Sequence, residues 1–278
     1  MVRSFLSRVS PRLALWLAIT VATIYVVFPF YWLLISSFTH PSQLFSGSLV
    51  PSRFTLESYA HLFSTSPVFT WVGNSILVAV IVTAVTVVVS VLGAYSLAFF
   101  DTRLGQAAGR LILFTYMFPG VVIVVPAYRI LSAMGLVDDV AGLVLVELVL
   151  TVPFCIWMLR SFFIQIPKTL FEAGRVDGAS HLRVLWGIML PIARPGVIVI
   201  AVFSFIFSWN EYLFPLVLVN SDADKTLPLG VAGFMGNLTV QWGPLLASGV
   251  ITVLPVLVMF IFLQRYLVEG LMVGAVKG

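Results

Sequence analysis

The sequence predicts an all-α polytopic membrane protein: six transmembrane helices in a single domain over residues 1–278, with both termini cytoplasmic. Three observations carry that prediction: a composition too apolar for water, six apolar stretches of spanning length, and a lopsided placement of Lys and Arg. Of 278 residues, 60% are apolar and 9% charged, where soluble domains have roughly 25% charged. Mean hydropathy is +1.11. With 15 Lys and Arg and 11 Asp and Glu, the chain cannot cover the surface of a soluble domain this size. A cytosolic enzyme, a secreted domain and a disordered tail are excluded. The net charge of +4 is scattered between apolar runs, so it bears on membrane orientation and not on nucleic acid. The single cysteine, Cys155, lies in an apolar run. It allows no intrachain disulfide and no thiolate metal cluster, which leaves a small buried hydrophobe.

A helix crossing a ~30 Å hydrocarbon core takes about 20 mostly apolar residues. Residues 13–37 carry no charge. Arg3, Arg8 and Arg12 precede them like a signal-peptide n-region, but the stretch is too long and lacks a small-residue cleavage site, so an uncleaved span is predicted. The second span, 71–100, is likewise uncharged. The third is 111–128, the fourth 140–163 with Glu147, the fifth 196–219 with Glu211, and the sixth 245–263. Pro119, Pro126, Pro153, Pro215 and Pro255 fall in spans three to six, where each removes a donor and predicts a kink. Two external segments, 38–70 and 220–244, exceed a turn, as does the cytoplasmic loop 164–195. With the N-terminus inside, only Arg53, Arg129 and Lys225 fall outside, and the other twelve basic residues lie on the cytoplasmic side. That asymmetry sets the predicted orientation.

The loop 164–195 carries the most specific pattern. Glu172-Ala173-Gly174 is followed by three residues, Gly178, nine residues, and then Ile188-Met189-Leu190-Pro191. Physically, Leu170 to Val176 reads as a short helix after Pro167. Gly178 supplies a turn without a Cβ penalty, and His181 to Leu190 reads as a second helix stopped by Pro191 and Pro195. Basic and studded with Leu170, Phe171, Leu182, Leu185 and Trp186, the pair could seat knobs in a partner's groove or lie as an amphipathic element on headgroups.

The spacing resembles the EAA loop (E-A-A-x3-G-x9-I-x-L-P) of permease subunits of binding-protein-dependent ABC importers, with Gly174 where that family usually has alanine. The likeness runs through all six spans. Asn74-Ser75 opens span two as in the sugar permeases; Met117-Phe118-Pro119, Pro126-Ala127-Tyr128 and Leu131 to Leu136 resemble their third-span pattern. Trp209-Asn210-Glu211 matches their fifth span, and the ending GLMVGAVKG looks like a MalG-like, maltose-type tail. It weakens at Ala98-Phe99-Phe100, where relatives often carry an arginine.

The resemblance implies a MetI-like type I importer permease fold and favours docking over headgroup contact. Glu172, Ala173, Gly174, Gly178, Ile188, Leu190 and Pro191 would form the coupling loop held by an ATPase subunit. Gly274 and Lys277 would lie in a tail along that interface. Gly230, Gly233 and Gly236, in the loop 220–244, would face the binding protein, where glycines suit a mobile segment. The implied partners are a second homologous permease subunit, two copies of a nucleotide-binding ATPase subunit, an extracytoplasmic solute-binding protein, the sugar substrate and the lipid bilayer. No cofactor is implied on this chain; ATP and Mg would sit on the ATPase subunits.

Ionisable groups within a span cost roughly 2.5–3.5 kcal/mol at the helix centre, so Glu147 and Glu211 need a reason. Counting residues places them roughly 10 Å from the outside and 21 Å from the inside respectively, a comparable depth that one aqueous cavity would explain. Carboxylates and amides suit sugar hydroxyls, so Glu147, Trp209, Asn210 and Glu211 are candidate pathway residues, with Trp209, Tyr212 and Trp157 as stacking faces. The structural alternative pairs Glu147 with Arg129 and bonds Asn210 or Glu211 across helices. No G-x-x-x-x-G-K-[ST], H-E-x-x-H or G-x-S-x-G occurs, and His40, His61 and His181 are far apart in the chain, so a catalytic role is not predicted. The reading is an ATP-driven importer permease for a di- or oligosaccharide of maltose or trehalose type. Glycerol-3-phosphate or another polar solute is the alternative substrate. A stand-alone secondary transporter, using Glu147 and Glu211 for ion coupling, is the alternative class.

Overall fold

The computed structural model describes residues 11–46, 48–51, 53–100, 102–236 and 239–275; Arg3, Arg8 and Lys277 lie outside the described residues. The described residues are helical apart from loops and two isolated β-bridges, Thr39 with Phe54 and Met235 with Val240. In order the helices are α1 (Pro11–Ser37), α2 (Glu57–Thr65), α3 (Val68–Phe99), α4 (Arg103–Tyr116), α5 (Gly120–Ala133), α6 (Val140–Phe163) and α7 (Lys168–Val176). They continue with α8 (His181–Ile192), α9 (Arg194–Trp209), α10 (Leu213–Leu218), α11 (Leu227–Ala232) and α12 (Trp242–Ala275).

Among the described residues four helices are long and apolar enough to cross a membrane: Arg12–Ser37, Val68–Phe99, Val140–Phe163 and Trp242–Ile261. The pair α8 and α9, bent by 81°, makes a fifth if taken as one broken span. Two expected spans are therefore not continuous helices. Residues 111–128 divide between α4 and α5, and residues 196–219 divide between α9 and α10. The physical reason is the same in both. Pro119 and Pro215 lack an N–H, and their rings crowd the carbonyls four residues back, at Thr115 and Glu211. The helix before each proline ends at about that carbonyl, at Tyr116 and at Trp209. Pro126, Pro153 and Pro255 instead sit inside continuous helices.

The chain divides into two compact units, residues 1–66 with 233–253, and residues 67–232 with 254–278. In the first, Leu13, Trp16, Val21 and Tyr25 of α1 leave their apolar surfaces exposed, as a lipid-facing helix requires. Below it, Ser37 Oγ and Tyr59 OH are 2.8 Å apart, His40 Nε2 and Glu57 Oε2 3.1 Å apart, and Phe45 meets Trp242 edge to face. The expected external loop 38–70 thus contains the ordered helix α2.

The second unit is built on α3, α6 and α9. Val78, Val82, Leu143, Val146, Phe214 and Leu218 fill one half of its core. Tyr95, Leu159, Phe163, Leu185, Met189 and Ile200 fill the other. Between these apolar layers runs a polar seam: Thr86 Oγ1 and Thr151 Oγ1 lie 3.0 Å apart, and Cys155 Sγ lies 3.4 Å from Ser204 Oγ. Cys155 is fully buried, as its sequence context predicts.

The segment after α10 is tied down by side chains that the sequence presents only as span openers. Asn74 Nδ2 donates to the carbonyls of Ala223 (2.7 Å) and Lys225 (3.0 Å), Trp71 Nε1 donates to Asp222 O (3.3 Å), and Leu227 N–H donates to Ser75 Oγ (2.8 Å). Asp138, at a φ of 62°, holds the same segment from the other side. Its Oδ1 accepts from Asn220 N (2.9 Å) and Ser221 N (3.0 Å). The amides of Ser221 and then Asn220 hold its carboxyl below the usual carboxylate range, because they favour the charged form. A lowered native value stabilises the fold above the ordinary carboxylate range near pH 4, and that stabilisation is lost as pH falls through the native value. Amide exchange at Asn220 and Ser221 is therefore expected to stay slow at neutral pH and to accelerate only below about pH 4, after correction for intrinsic rates. Asp138→Asn, which tolerates the left-handed backbone, should keep slow exchange, and Asp138→Ala should lose it. Unchanged protection in the alanine variant would exclude this role.

Candidate functional site

The loop 164–195 folds as a helical hairpin, and each residue of the fingerprint has a place in it. Pro167 opens α7, which runs Lys168–Val176. It stops through Asp177 N–H to Ala173 O (3.0 Å), Gly178 N–H to Arg175 O (3.1 Å) and Ala179 N–H to Gly174 O (3.0 Å). Gly178 has φ +79°, a left-handed turn that only glycine enters freely. Ser180 Oγ then caps α8 by accepting from Arg183 N–H (3.3 Å).

Pro191 does not stop α8, contrary to expectation. The helix widens into a π-turn at Leu185–Met189, with Leu190 N–H donating to Leu185 O, and continues to Ile192. The wider turn makes room for the Pro191 ring and accepts its missing donor. Pro195 likewise starts α9 and does not end α8, since the first turn of a helix needs no donor there.

Gly174 is buried at the crossing of α7 and α8. A Cβ there would lie 2.9 Å from Ile188 Cδ1 and 3.1 Å from Val184 Cγ2. Gly174, Ile188 and Leu190 thus build the hairpin itself, whereas Glu172, Ala173 and Pro191 are exposed. Leu170, Leu182 and Trp186 are exposed as the pattern predicts, but Phe171 and Leu185 point inward. Val176, 86% exposed, is an outward apolar residue that sequence reasoning missed; its place one turn after Glu172 was the available signal.

An aromatic cluster fixes the hairpin to the ends of α3 and α6. Phe171 stacks on Phe99 (centroids 5.1 Å apart) and on His181 (6.0 Å). The His181 ring also meets Phe100 edge-on at 4.9 Å, and Tyr95 packs on Phe163. Tyr95 OH donates to His181 O at 3.1 Å. His181 is therefore an anchor of the segment, and Tyr95 and Phe99 are packing partners of the hairpin invisible in a uniformly apolar span.

The pathway candidates separate. Glu211 lines a cavity of about 640 Å³ with Thr115, Phe118, Phe207, Leu213 and Phe214. Its Oε1 accepts from Leu213 N (2.8 Å) and Phe214 N (3.2 Å), capping α10. The break made by Pro215 is what exposes those amides. Asn210 is exposed and its Nδ2 donates to Ile206 O (2.7 Å). Both side chains therefore bond locally to backbone, not across helices.

Trp209 is fully buried and parallel to Phe205, centroids 6.1 Å apart. It is a core residue and offers no stacking face. Trp157 lies under Arg160, whose guanidinium carbon is 5.4 Å from the ring centroid, away from the Glu211 cavity. Glu147 is 1% exposed and is not among the walls of that cavity. Among the described residues neither of its carboxylate oxygens has a hydrogen-bond partner; Ser208 and Glu211 are its polar neighbours, with Ser208 Oγ short of hydrogen-bond geometry. Among the described residues it makes no ion pair with Arg129.

The glycines of the segment 220–244 are also unalike. Gly230 is buried in α11 flush against the Trp71 indole, leaving no room for a Cβ, so it serves close packing and not mobility. Gly233 and Gly236 are exposed in the turn that leads to the Met235–Val240 bridge. Gly274 lies near the end of α12. Among the described residues no group of three or more His, Cys, Asp or Glu is arranged to hold a metal.

Comparison with known proteins agrees with this architecture. The chain is 31% identical over 275 residues, 98% of each protein, to the inner membrane ABC transporter permease protein YcjP of Escherichia coli (strain K12). It is 32% identical over 270 residues to the trehalose/maltose transport system permease protein MalG of Thermococcus litoralis, covering 96% of this chain and 97% of that one. Its fold matches a chain in the crystal structure of a bacterial ABC transporter involved in alginate import, with a TM-score of 0.80 at 22% identity, over 90% of this chain and 94% of that one. Residues 87–272, from the middle of α3 into the last turns of α12, match the model of a single family. The chain belongs to the family of binding-protein-dependent transport system inner membrane components.

Proposed function

We propose that this chain is one of two permease subunits of an ATP-driven importer for a di- or oligosaccharide, coupled to its ATPase subunits through the α7–α8 hairpin. The observation that carries the reading is the division of labour in that hairpin. Its glycines shape the hairpin and Phe171 and His181 lock it to Tyr95 and Phe99 of α3, while Glu172, Ala173, Leu170, Val176, Leu182 and Trp186 face outward. An exposed apolar set around Glu172, held rigidly, fits a groove on a partner and transmits its displacement to the spans. ATP and Mg would be bound by two ATPase subunits, and an external binding protein would deliver the sugar. The relatives named as trehalose/maltose permeases support the sugar class. So does the Glu211 cavity, with a carboxylate and Phe118 and Phe207 on its walls, since sugars use both hydrogen bonds and ring faces.

The test is co-purification of the tagged subunit from its native membrane. A Walker-motif ATPase and a second permease should accompany the wild type. Glu172→Lys should lose the ATPase, keep the second permease and leave the subunit inserted. Full ATPase recovery and normal sugar uptake by that variant would rule out the docking role. Uptake by this chain alone in liposomes, driven by a proton gradient without ATP, would overturn the importer reading.

We also propose six membrane passages with both termini cytoplasmic, α4 and α5 together making the third and α9 with α10 the fifth. In a Cys155→Ser background, a cysteine at Asp177 should react with an impermeant maleimide only after the membrane is opened. One at Asp224 should react from outside. The reverse pattern would invert the topology.

A further inference from the structure

A second pocket, of about 430 Å³, lies at the hairpin end of the spans and is unlike the Glu211 cavity. The end of α3 and the first turns of α4 form two of its walls, and Trp157 and Arg160 of α6 and Lys168 at the start of α7 complete it. Among the described residues its lining holds three cations, Arg110, Arg160 and Lys168, together with the amide side chain of Gln106 and no carboxylate. None of the three cations forms an ion pair among the described residues. Asp101, between α3 and α4 in sequence, lies outside the described residues; even counted with the pocket it would leave the cations in excess.

The arginines are oriented without being neutralised. Arg160 Nε donates to Leu97 O and Arg110 Nε donates to Gln106 O, both at 3.3 Å. Each guanidinium thereby keeps its two terminal nitrogens for a ligand, the fork that matches a phosphate group. Trp157, 42% exposed beneath Arg160, is the amphipathic ring type that sits at headgroup level in a bilayer. Arg160 lies in the last turn of the apolar helix α6, which ends at Phe163, and Lys168 opens α7, so the pocket sits at the end of a spanning helix. Unpaired cations concentrated at that level attract anions, each adding to the affinity.

We propose that this pocket binds a phosphate-bearing anion, and that its level at the membrane edge selects the headgroup of an anionic phospholipid. The ligand would bridge α4, α6 and the start of α7, and so brace the base of the hairpin. The inference needs the membrane placement but not the sugar, and its test does not involve transport.

The test uses the intact complex, delipidated in detergent, with phospholipids brominated near the top of the acyl chain as quenchers. Subtracting the Trp157→Phe signal isolates Trp157. Brominated phosphatidylglycerol should half-quench Trp157 at a concentration at least about tenfold below brominated phosphatidylcholine. Arg110→Gln combined with Lys168→Gln should remove that preference; both residues are exposed, so folding is retained, whereas Arg160 is kept for its bond to Leu97. Equal quenching by the two lipids, or a preference that survives the double variant, would overturn the site. Loss of the preference in inorganic phosphate, but not in chloride of equal ionic strength, would assign the pocket to soluble phosphate and overturn the lipid source.

Discussion

Gly178→Val is expected to loosen the α7–α8 hairpin and to strip the subunit of its ATPase, whereas Gly178→Asn keeps most of both. The Cβ position at Gly178 is open space, so nothing clashes. The cost comes entirely from φ +79°, which is on the order of 1–3 kcal/mol for a residue that avoids the left-handed region. Valine, branched at Cβ, lies at the upper end of that range; asparagine, which enters that region routinely, lies at the lower end. The readouts are the fraction of subunit recovered with ATPase and amide exchange at Ala179, whose N–H bonds Gly174 O. Equal behaviour of the two variants would show that the turn's backbone does not set the hairpin. Gly174 responds to a different force. Its constraint is contact with Ile188 and Val184, so alanine needs only a small shift of flexible methyl groups while larger side chains must pry α7 from α8.

Glu147→Met is expected to raise the thermal midpoint of the purified complex and to lower transport sharply. A buried polar group without a partner costs on the order of 1–3 kcal/mol, more if charged, and a methionine of similar length removes that cost while filling the same space. Glu147→Gln should stabilise less, because its amide inherits the same unpartnered site. A residue that costs stability in the middle of a span is placed for function, and Glu147 neighbours both Ser208 and the cavity carboxylate Glu211. A lowered midpoint for Glu147→Met would mean that the carboxyl is satisfied by a partner in the assembled complex. Raised stability with full transport would remove Glu147 from the pathway.

The helix-forming stretches and the hairpin were legible because their signals are local. Apolar runs of spanning length mark α1, α3, α6 and α12, and the spacing from Glu172 to Pro191 marks the turn at Gly178. The prolines were legible as a class but not singly. Pro119 and Pro215 end helices while Pro126, Pro153 and Pro255 do not, since the outcome depends on what surrounds the freed carbonyl. Trp209 shows the same limit on the pathway side. A tryptophan beside Asn210 and Glu211 reads as a stacking face, and it is buried against Phe205 because α9 turns that face inward.

By itself the sequence determined that the chain lives in a membrane, where its long helices lie, and which loop carries the fingerprint. These follow from composition, the length of apolar runs and backbone chemistry at individual glycines and prolines, all of which act within a few residues. Only the tertiary structure decided which residues of the fingerprint face out, that Tyr95, Phe99 and His181 anchor the hairpin, that Asn74 and Asp138 strap the segment after α10, and that Glu211 but not Glu147 reaches the cavity. Those outcomes depend on contacts between residues as much as 152 positions apart, as with Ser75 and Leu227. In a chain that is apolar on nearly every face, the pattern of one helix does not say which neighbour it will meet.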